Sequence, residues 1–590
     1  MEINQVKIKG FRNFKDATIN FSQKSLIIGP NDIGKTNLIF ALRILLDKSL
    51  SDVDIEPKDS DFYAYEDTNT FLILIKFTDV TEDILRSRFR ERISADDELF
   101  LGFRANRDID TQSIEHSFFA GHSESAMEEL ENGRFYLKVL NLKYISSNRN
   151  LSAFIKKEKR ILFKETKEKR SPAEKDADDQ KLIELKGDLD NINSIIPELT
   201  FIKNSTTVLN QELEKLSFRH STHRVAFDVG TSDSSRMIDN VRLVSKYNDK
   251  SVEIGGDGKN NQIFFALWAA KNEILENHLI EITIYCIEEP EVHLHPHQQR
   301  KLAEYLSTLL KNQIIITTHS PQITSEFSPN SIIRLYSENL ETKAANNGCS
   351  EIIAESFQRF GHRLSIIPAE AFFADVVFLV EGTSEILFYK ALAASTGYKI
   401  DLDRQNISIL SVEGVGFKVY IQILNALKIR WILRTDYDTS KIPHQDNKYQ
   451  FAGIKRCLAI YKEFFNDSNP FNELINLKEP LLSNFEGDLP PQTNVDAAKE
   501  FEKFLIDYNM FLSYKDLEND LLFSEIKPYL IEFFEIADEQ KIIAGMQKNK
   551  ATFMYLFLKS HSDKLLVLKN NQIISPLKRC KKIADHIEIL

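Results

Sequence analysis

Ser25-Leu26-Ile27-Ile28-Gly29-Pro30-Asn31-Asp32-Ile33-Gly34-Lys35-Thr36 runs from apolar residues into a loop bounded by glycines and closed by Lys-Thr. The run ending at Ile28 reads as a buried strand. Beyond the loop, Leu38, Ala41, Leu42 and Leu45 recur at helical spacing. Strand, G-x-x-x-x-G-K-T and helix in this order make a phosphate loop. The glycines let backbone N–H groups wrap phosphates, Lys35 reaches the terminal phosphates, and the Thr36 hydroxyl ligates Mg²⁺. Asn31 and Gly34 lie inside the same loop, so the expected ligand is ATP. The expected fold class is α/β.

Working outward, two alternating stretches flank Gly10, at residues 6–8 and 17–21, and read as a hairpin turning at that glycine. Residues 71–77 form another strand. Residues 282–287 and 313–317 read as buried strands with a helix at 298–310 between them. The first ends in Glu288-Glu289, where Glu288 would hold the Mg²⁺ water shell and Glu289 would orient an attacking water. The second ends in Thr318-His319-Ser320-Pro321, with His319 placed to sense a γ-phosphate. His293, His295 and His297 alternate just past the acidic pair and read as a dimer-facing loop rather than a zinc site.

A second α/β unit begins near Phe372. Its strands fall at 376–380, 407–411 and 431–434, with helices at 385–394 and 417–427. Glu381 ends the first strand and Glu385 lies one helical turn on, so both can face one ion. Asp436 and Asp438 alternate past the third strand, on one side of the backbone. Further on, Asp516-Leu517-Glu518-Asn519-Asp520 offers Glu518 and Asp520 for a second metal position, as two-metal phosphodiester cleavage requires. Gln547-Lys548-Asn549-Lys550 supplies a lysine, Lys550 in preference to Lys548, for charge developing on a phosphate.

Length and composition bound these readings. A chain of 590 residues divides into two or three domains. Its 42% hydrophobic and 27% charged content is that of a soluble globular protein. Four dispersed cysteines argue against a zinc or disulfide framework. The opening Met1-Glu2-Ile3-Asn4-Gln5 has no signal-peptide pattern and no apolar run approaches a membrane span, so a cytoplasmic location is expected. The net charge of −12 is weak evidence against nucleic acid, because acids concentrate at metal sites while basic patches such as 156–160, 167–170 and 578–582 remain local. Residues 156–216 carry Leu182, Leu185, Leu189, Ile192 and Ile195 at three- and four-residue intervals, read as inserted amphipathic helices that pair across a dimer or pack on their own domain.

The first set of motifs resembles ATP-binding-cassette ATPases of the RecF and SMC type, which sandwich ATP between two heads. That resemblance asks for a signature loop, and Gly256 and Gly258 in Gly255-Gly256-Asp257-Gly258-Lys259 are the best match, without the usual serine. The second set resembles a Toprim domain. The whole order resembles the OLD (overcoming lysogenization defect) family of ATP-dependent nucleases, nearest its Gabija type. The division expected is 1–150 and 236–360 for the ATPase, 151–235 for a helical insertion and 370–590 for Toprim. The resemblance implies a Mg²⁺- or Mn²⁺-dependent endonuclease with two ions, acting on double-stranded DNA in antiphage defence. It also implies a homo-oligomer, a tetramer, and a helicase-like Gabija B partner. The competing expectation is a non-nucleolytic RecF-like clamp ATPase.

Overall fold

The structure is a computed structural model. It describes residues 1–111, 113–147, 151–215, 244–247, 250–253, 281–308, 312–349, 369–395, 400–412, 416–445, 447–465, 470–487 and 489–585, with single positions at 263, 266 and 267. The chain forms two compact units, one of Met1–Ser147, Glu281–Glu291 and Pro296–Leu590, the other of Asn148–Ile280 and Val292–His295.

The first unit opens with a six-stranded antiparallel sheet in the order Phe14–Asn20, Glu2–Phe11, Thr70–Thr78, Leu99–Arg107, Ile114–Gly121, Met127–Glu129. The expected hairpin is present, but its turn falls at Arg12 and Asn13, where Arg12 takes the left-handed φ of 52°. Gly10 serves a different need: a Cβ there would stand 2.6 Å from the Thr70 carbonyl oxygen of the neighbouring strand.

A second sheet carries the nucleotide motifs, in the order Glu341–Ala344, Ile332–Glu338, Lys24–Ile28, Ile314–Thr317, Ile282–Glu288, Leu140–Ile145. All its pairs are parallel except the outer hairpin of the first two strands. Its central strands are almost wholly buried, which is why they are continuous apolar runs rather than alternating ones. The helix Lys35–Leu46 contributes Leu38, Ile39, Ala41, Leu42, Leu45 and Leu46 to one core shared by both sheets. Gln313 ties the sheets together: its side chain accepts from the Ile3 N–H and donates to the Ile3 carbonyl, at 2.7 and 2.8 Å.

The third sheet has four parallel strands, Ile407–Ser411, Val376–Val380, Arg430–Thr435 and Met510–Leu512. Its second core is closed by the helix Thr383–Ala394 and by C-terminal helices, among them Lys550–His561, which packs on Thr383–Ala394. In such sheets ligands gather at the carboxyl ends of the strands, and here those ends present Glu381 and Asp436.

The second unit contains helices Leu151–Glu168, Pro172–Ile195 and Thr200–Lys215 and the hairpin Val244–Tyr247 with Lys250–Glu253. Ser171 caps the second helix in a reciprocal box with Glu174, and Pro172 takes the first helical position. Leu189 is buried, whereas Ile183, Ile195, Phe201 and Val208 are each more than half exposed. The expected signature loop with Gly256 and Gly258 lies outside the described residues. No described helix is long and apolar enough to cross a membrane.

Candidate nucleotide and metal sites

The phosphate loop is shaped by two glycines that cannot be replaced. Gly29 has φ of 152°, and a Cβ on it would lie 2.6 Å from the Leu335 carbonyl oxygen. Gly34 has φ of 99°, and a Cβ would run into the Asn13 amide. The Lys35 ammonium is folded into the loop, donating to the carbonyls of Gly29 at 2.9 Å and Pro30 at 2.6 Å. Burial lowers its pKa to about 8. Asn31 and Thr36 are exposed on the loop. From behind, the Ile33 carbonyl accepts from Asn13 at 2.7 Å and from the Thr342 hydroxyl at 2.9 Å. Neither supporting residue stood out in the sequence, because each reaches the loop only through sheet topology.

Across the sheet, Glu288 is buried and accepts a hydrogen bond from the Tyr144 hydroxyl on the adjoining strand. Burial, together with this carboxylate, raises the tyrosine pKa. Glu289 has φ of 42° and places a carboxylate oxygen 3.6 Å from His319 Nε2. Burial and the Lys35 charge lower the His319 pKa, opposed by Glu289. Glu291 braces this corner, accepting from the Thr318 hydroxyl and the His319 N–H at 2.7 Å each. His319 therefore follows the strand next to the phosphate-loop strand, and Glu288 and Glu289 end the strand beyond that one, as their order in the sheet requires.

The acidic site of the third sheet is organised by two arginines that the motifs did not single out. Arg434, only 2% exposed, donates to Glu385 at 2.5 Å and to Asp520. Glu385 also caps its helix, accepting from the N–H groups of Glu381 at 2.7 Å and Gly382 at 3.2 Å. Glu381 accepts from the Thr435 hydroxyl at 2.5 Å, the Asp436 N–H at 2.8 Å and Arg456 at 2.6 Å. Arg456 also stands 3.7 Å from Asp438. Burial, followed by the charges of Glu381 and Glu385, raises Asp436 to about 8. Burial and Glu381 push Asp438 up as well.

The second acidic segment folds alongside. Asp516 caps Leu517–Leu522, accepting from the Asn519 N–H at 2.8 Å and from Gln547 at 2.7 Å. Glu518 is fully buried, neither oxygen has a hydrogen bond of good geometry, and the Lys550 ammonium stands 2.9 Å from one of them. Burial would lower the Lys550 pKa, but Glu518, Asp436 and Asp516 outweigh it and raise it. Lys548 ends the preceding helix in an exposed position. The basic run at 578–582 is engaged in local structure: Lys578 donates to the Lys569 carbonyl, Arg579 to Asn509, and Lys581 to Asp585.

Among the described residues no three acid, histidine or cysteine side chains converge tightly enough to cage an ion as they stand. The donor set nevertheless suits one. Glu381 and Asp436 are hard oxygen donors at the ends of two neighbouring strands, Asp438 follows two residues on, and the buried Glu518 has only the Lys550 ammonium beside it. Carboxylate oxygens of this kind suit a hard divalent cation.

A phosphate loop on a parallel sheet, joined to a second parallel sheet whose strands end in acids, defines an ATPase coupled to a Toprim-type metal domain. The chain belongs to the AAA ATPase domain family, which matches residues 1–274 and 134–324. Residues 372–438 match the overcoming lysogenization defect protein-like TOPRIM domain. The chain is similar to endonuclease GajA of Bacillus cereus, 26% identical over 96% of both chains. It is also similar to the OLD nuclease of Thermus scotoductus, 21% identical over 78% of this chain and 88% of that one. Among solved structures it is similar to the Smc head domain of Pyrococcus furiosus bound to the C-terminal domain of ScpA, with a TM-score of 0.33 and 14% identity, covering 58% of this chain and 95% of that one.

Proposed function

We propose that this chain is a metal-dependent endonuclease of double-stranded DNA, controlled by ATP and acting in antiphage defence of the Gabija type. The observation that carries the reading is the meeting of Glu381, Asp436 and Asp438 with the Lys550–Glu518 pair at the ends of the Toprim strands. Similarity to an endonuclease along nearly the whole chain supports it.

Glu381, Asp436 and Asp438 would hold one Mg²⁺ or Mn²⁺ ion and Glu518 would face a second. Glu385 and Asp520 reach the site through Arg434 and complete its acidic shell. Bound ions supply a Lewis acid for the phosphoryl oxygen and a more acidic water. Lys550, half exposed beside Glu518, is placed to neutralise charge on the scissile phosphate. In the ATPase domain, Asn31, Gly34, Lys35 and Thr36 would hold ATP and Glu288 its Mg²⁺. Glu289 and His319 are the groups for water activation and γ-phosphate sensing. Gly256 and Gly258 of a second copy would cap the nucleotide, within a cytoplasmic tetramer working with a helicase-like Gabija B partner.

One observation favours the clamp reading: Glu381, Glu385 and Asp520 already have arginine partners. A single assay separates the two. Supercoiled and linear DNA are incubated with the protein, Mg²⁺ or Mn²⁺ and increasing ATP, beside the Glu381→Ala, Asp436→Ala double variant. Breaks by wild type alone, with a dependence on ATP, are the expected outcome. Equal cutting by both proteins removes the Toprim site from the chemistry, and no cutting with either metal, with the helicase partner added, leaves the clamp.

A further inference from the structure

Arg334 is a 3% exposed arginine whose charge faces no carboxylate hydrogen-bond partner; its guanidinium is bonded to main-chain carbonyls. It lies on the strand Ile332–Glu338, in parallel register with the strand that feeds the phosphate loop: Ile333 opposes Ile27 and Arg334 opposes Ile28. The next residue, Leu335, places its carbonyl against Gly29, so closely that only a glycine fits. The side chain reaches into the Toprim half of the same compact unit. Its Nε donates to Phe372 O at 3.3 Å and Nη2 to Ala374 O at 3.2 Å, just before the strand Val376–Val380. Its Nη1 is shared between Leu427 O at 3.2 Å and Lys428 O at 3.4 Å, just before Arg430–Thr435.

These two strands are the ones that end in Glu381 and Asp436. The acceptors are well made for a cation. Leu427 and Lys428 close the helix Phe417–Ala426, Lys428 in the left-handed region at φ of 55°, so the carbonyls at that helix end point outward at its negative pole. Asp375 lies close enough to favour the charged guanidinium. One planar fork thus holds the start of both acid-bearing strands against the strand next to the phosphate loop. A lysine, a point donor on a flexible stem, cannot replace four fixed contacts.

We propose that Arg334 is a positioning residue that couples nucleotide occupancy of the phosphate loop to the register of the Toprim strands carrying Glu381 and Asp436. The inference deepens the ATP-controlled reading and rests on it for its purpose. A shift of the Gly29–Leu335 contact on nucleotide binding is carried by Arg334 to the roots of both strands, and the carboxylates move at their tips. Coupling of this kind is reciprocal and is ordinarily about 5- to 150-fold.

Hydrogen exchange of the full-length protein in Mg²⁺, with and without saturating ATP, tests it. Neither DNA nor cutting is needed, so a protein that couples its sites but never cuts would defeat the endonuclease reading and leave this inference standing. In wild type, ATP should slow exchange about fivefold or more at 371–380 and 427–435 as well as around the phosphate loop. In Arg334→Lys, ATP should still bind, within threefold or so of the wild-type affinity, and protect the loop, while the response at 371–380 and 427–435 is lost. A purely structural arginine would lower the melting temperature and leave the pattern of the ATP response intact. Protection confined to the ATPase strands in wild type overturns the proposal without any variant. So does a full Toprim response in Arg334→Lys.

Discussion

His319 stands between Lys35, whose charge opposes a second positive charge, and Glu289, whose carboxylate favours one, in a half-buried setting that itself disfavours the ion. Burial and Lys35 win, and the pKa lies below its ordinary 6.5. The sign follows: the native state binds fewer protons here than the unfolded chain. His319 therefore contributes stability above 6.5, and that contribution is lost as pH falls through its folded value. A ring-resolved NMR titration should find His319 still neutral where an ordinary histidine is half charged. Lys35→Met should raise its midpoint and Glu289→Gln lower it. An unshifted midpoint in Lys35→Met would show that the lysine charge does not reach the ring. At this scale the sequence was most informative where backbone geometry restricts residue choice. Gly29 and Gly34 occupy conformations and contacts that a side chain would violate, so their spacing carries the loop. Asn13 and Thr342 hold the same loop through hydrogen bonds that follow no local pattern and were not visible in advance.

Among the elements, the parallel strands were legible because burial on both faces leaves a short uninterrupted apolar run. Val376–Val380 and Ile407–Ser411 fall where that run predicts. Arg434 is a signal of another kind, a cation at the end of the buried run Trp431-Ile432-Leu433. A charge in such a strand needs partners, but Glu385 and Asp520 lie 49 and 86 residues away in sequence, and only the assembled sheet brings them in. The consequence is measurable. Arg434→Met leaves two buried carboxylates without their cation, a loss of about 3–5 kcal/mol for a broken buried ion pair. The melting temperature of the metal-free protein should fall markedly. Divalent ions should recover part of it, since they can neutralise the stranded acids. A triple variant, Arg434→Met with Glu385→Gln and Asp520→Asn, should be more stable than Arg434→Met alone. If it is not, the arginine matters through packing rather than charge.

At the scale of the whole molecule, the net charge of −12 and the acids at the ends of the Toprim strands pose a problem for a partner as anionic as DNA. The basic run at 578–582 does not resolve it, because three of its members are engaged in their own fold. Metal is the natural remedy. Glu381 disfavours charge on Asp436 and on Asp438, the three together would repel a phosphodiester, and divalent ions held by them would reverse the sign of the field there. DNA affinity should therefore depend on the metal before any bond is broken. Ca²⁺, a hard cation with looser geometry than Mg²⁺, allows that to be measured while cleavage is monitored separately. Fluorescence anisotropy with a short labelled duplex should show binding at least about tenfold tighter in Ca²⁺ than in EDTA, equivalent to about 1.4 kcal/mol. In the Glu381→Ala, Asp436→Ala variant the Ca²⁺ enhancement should vanish, while affinity in EDTA should rise slightly because two like charges are gone. Equal enhancement in the variant would place the ion that recruits DNA elsewhere, and unchanged affinity in EDTA would show that the duplex does not approach these acids.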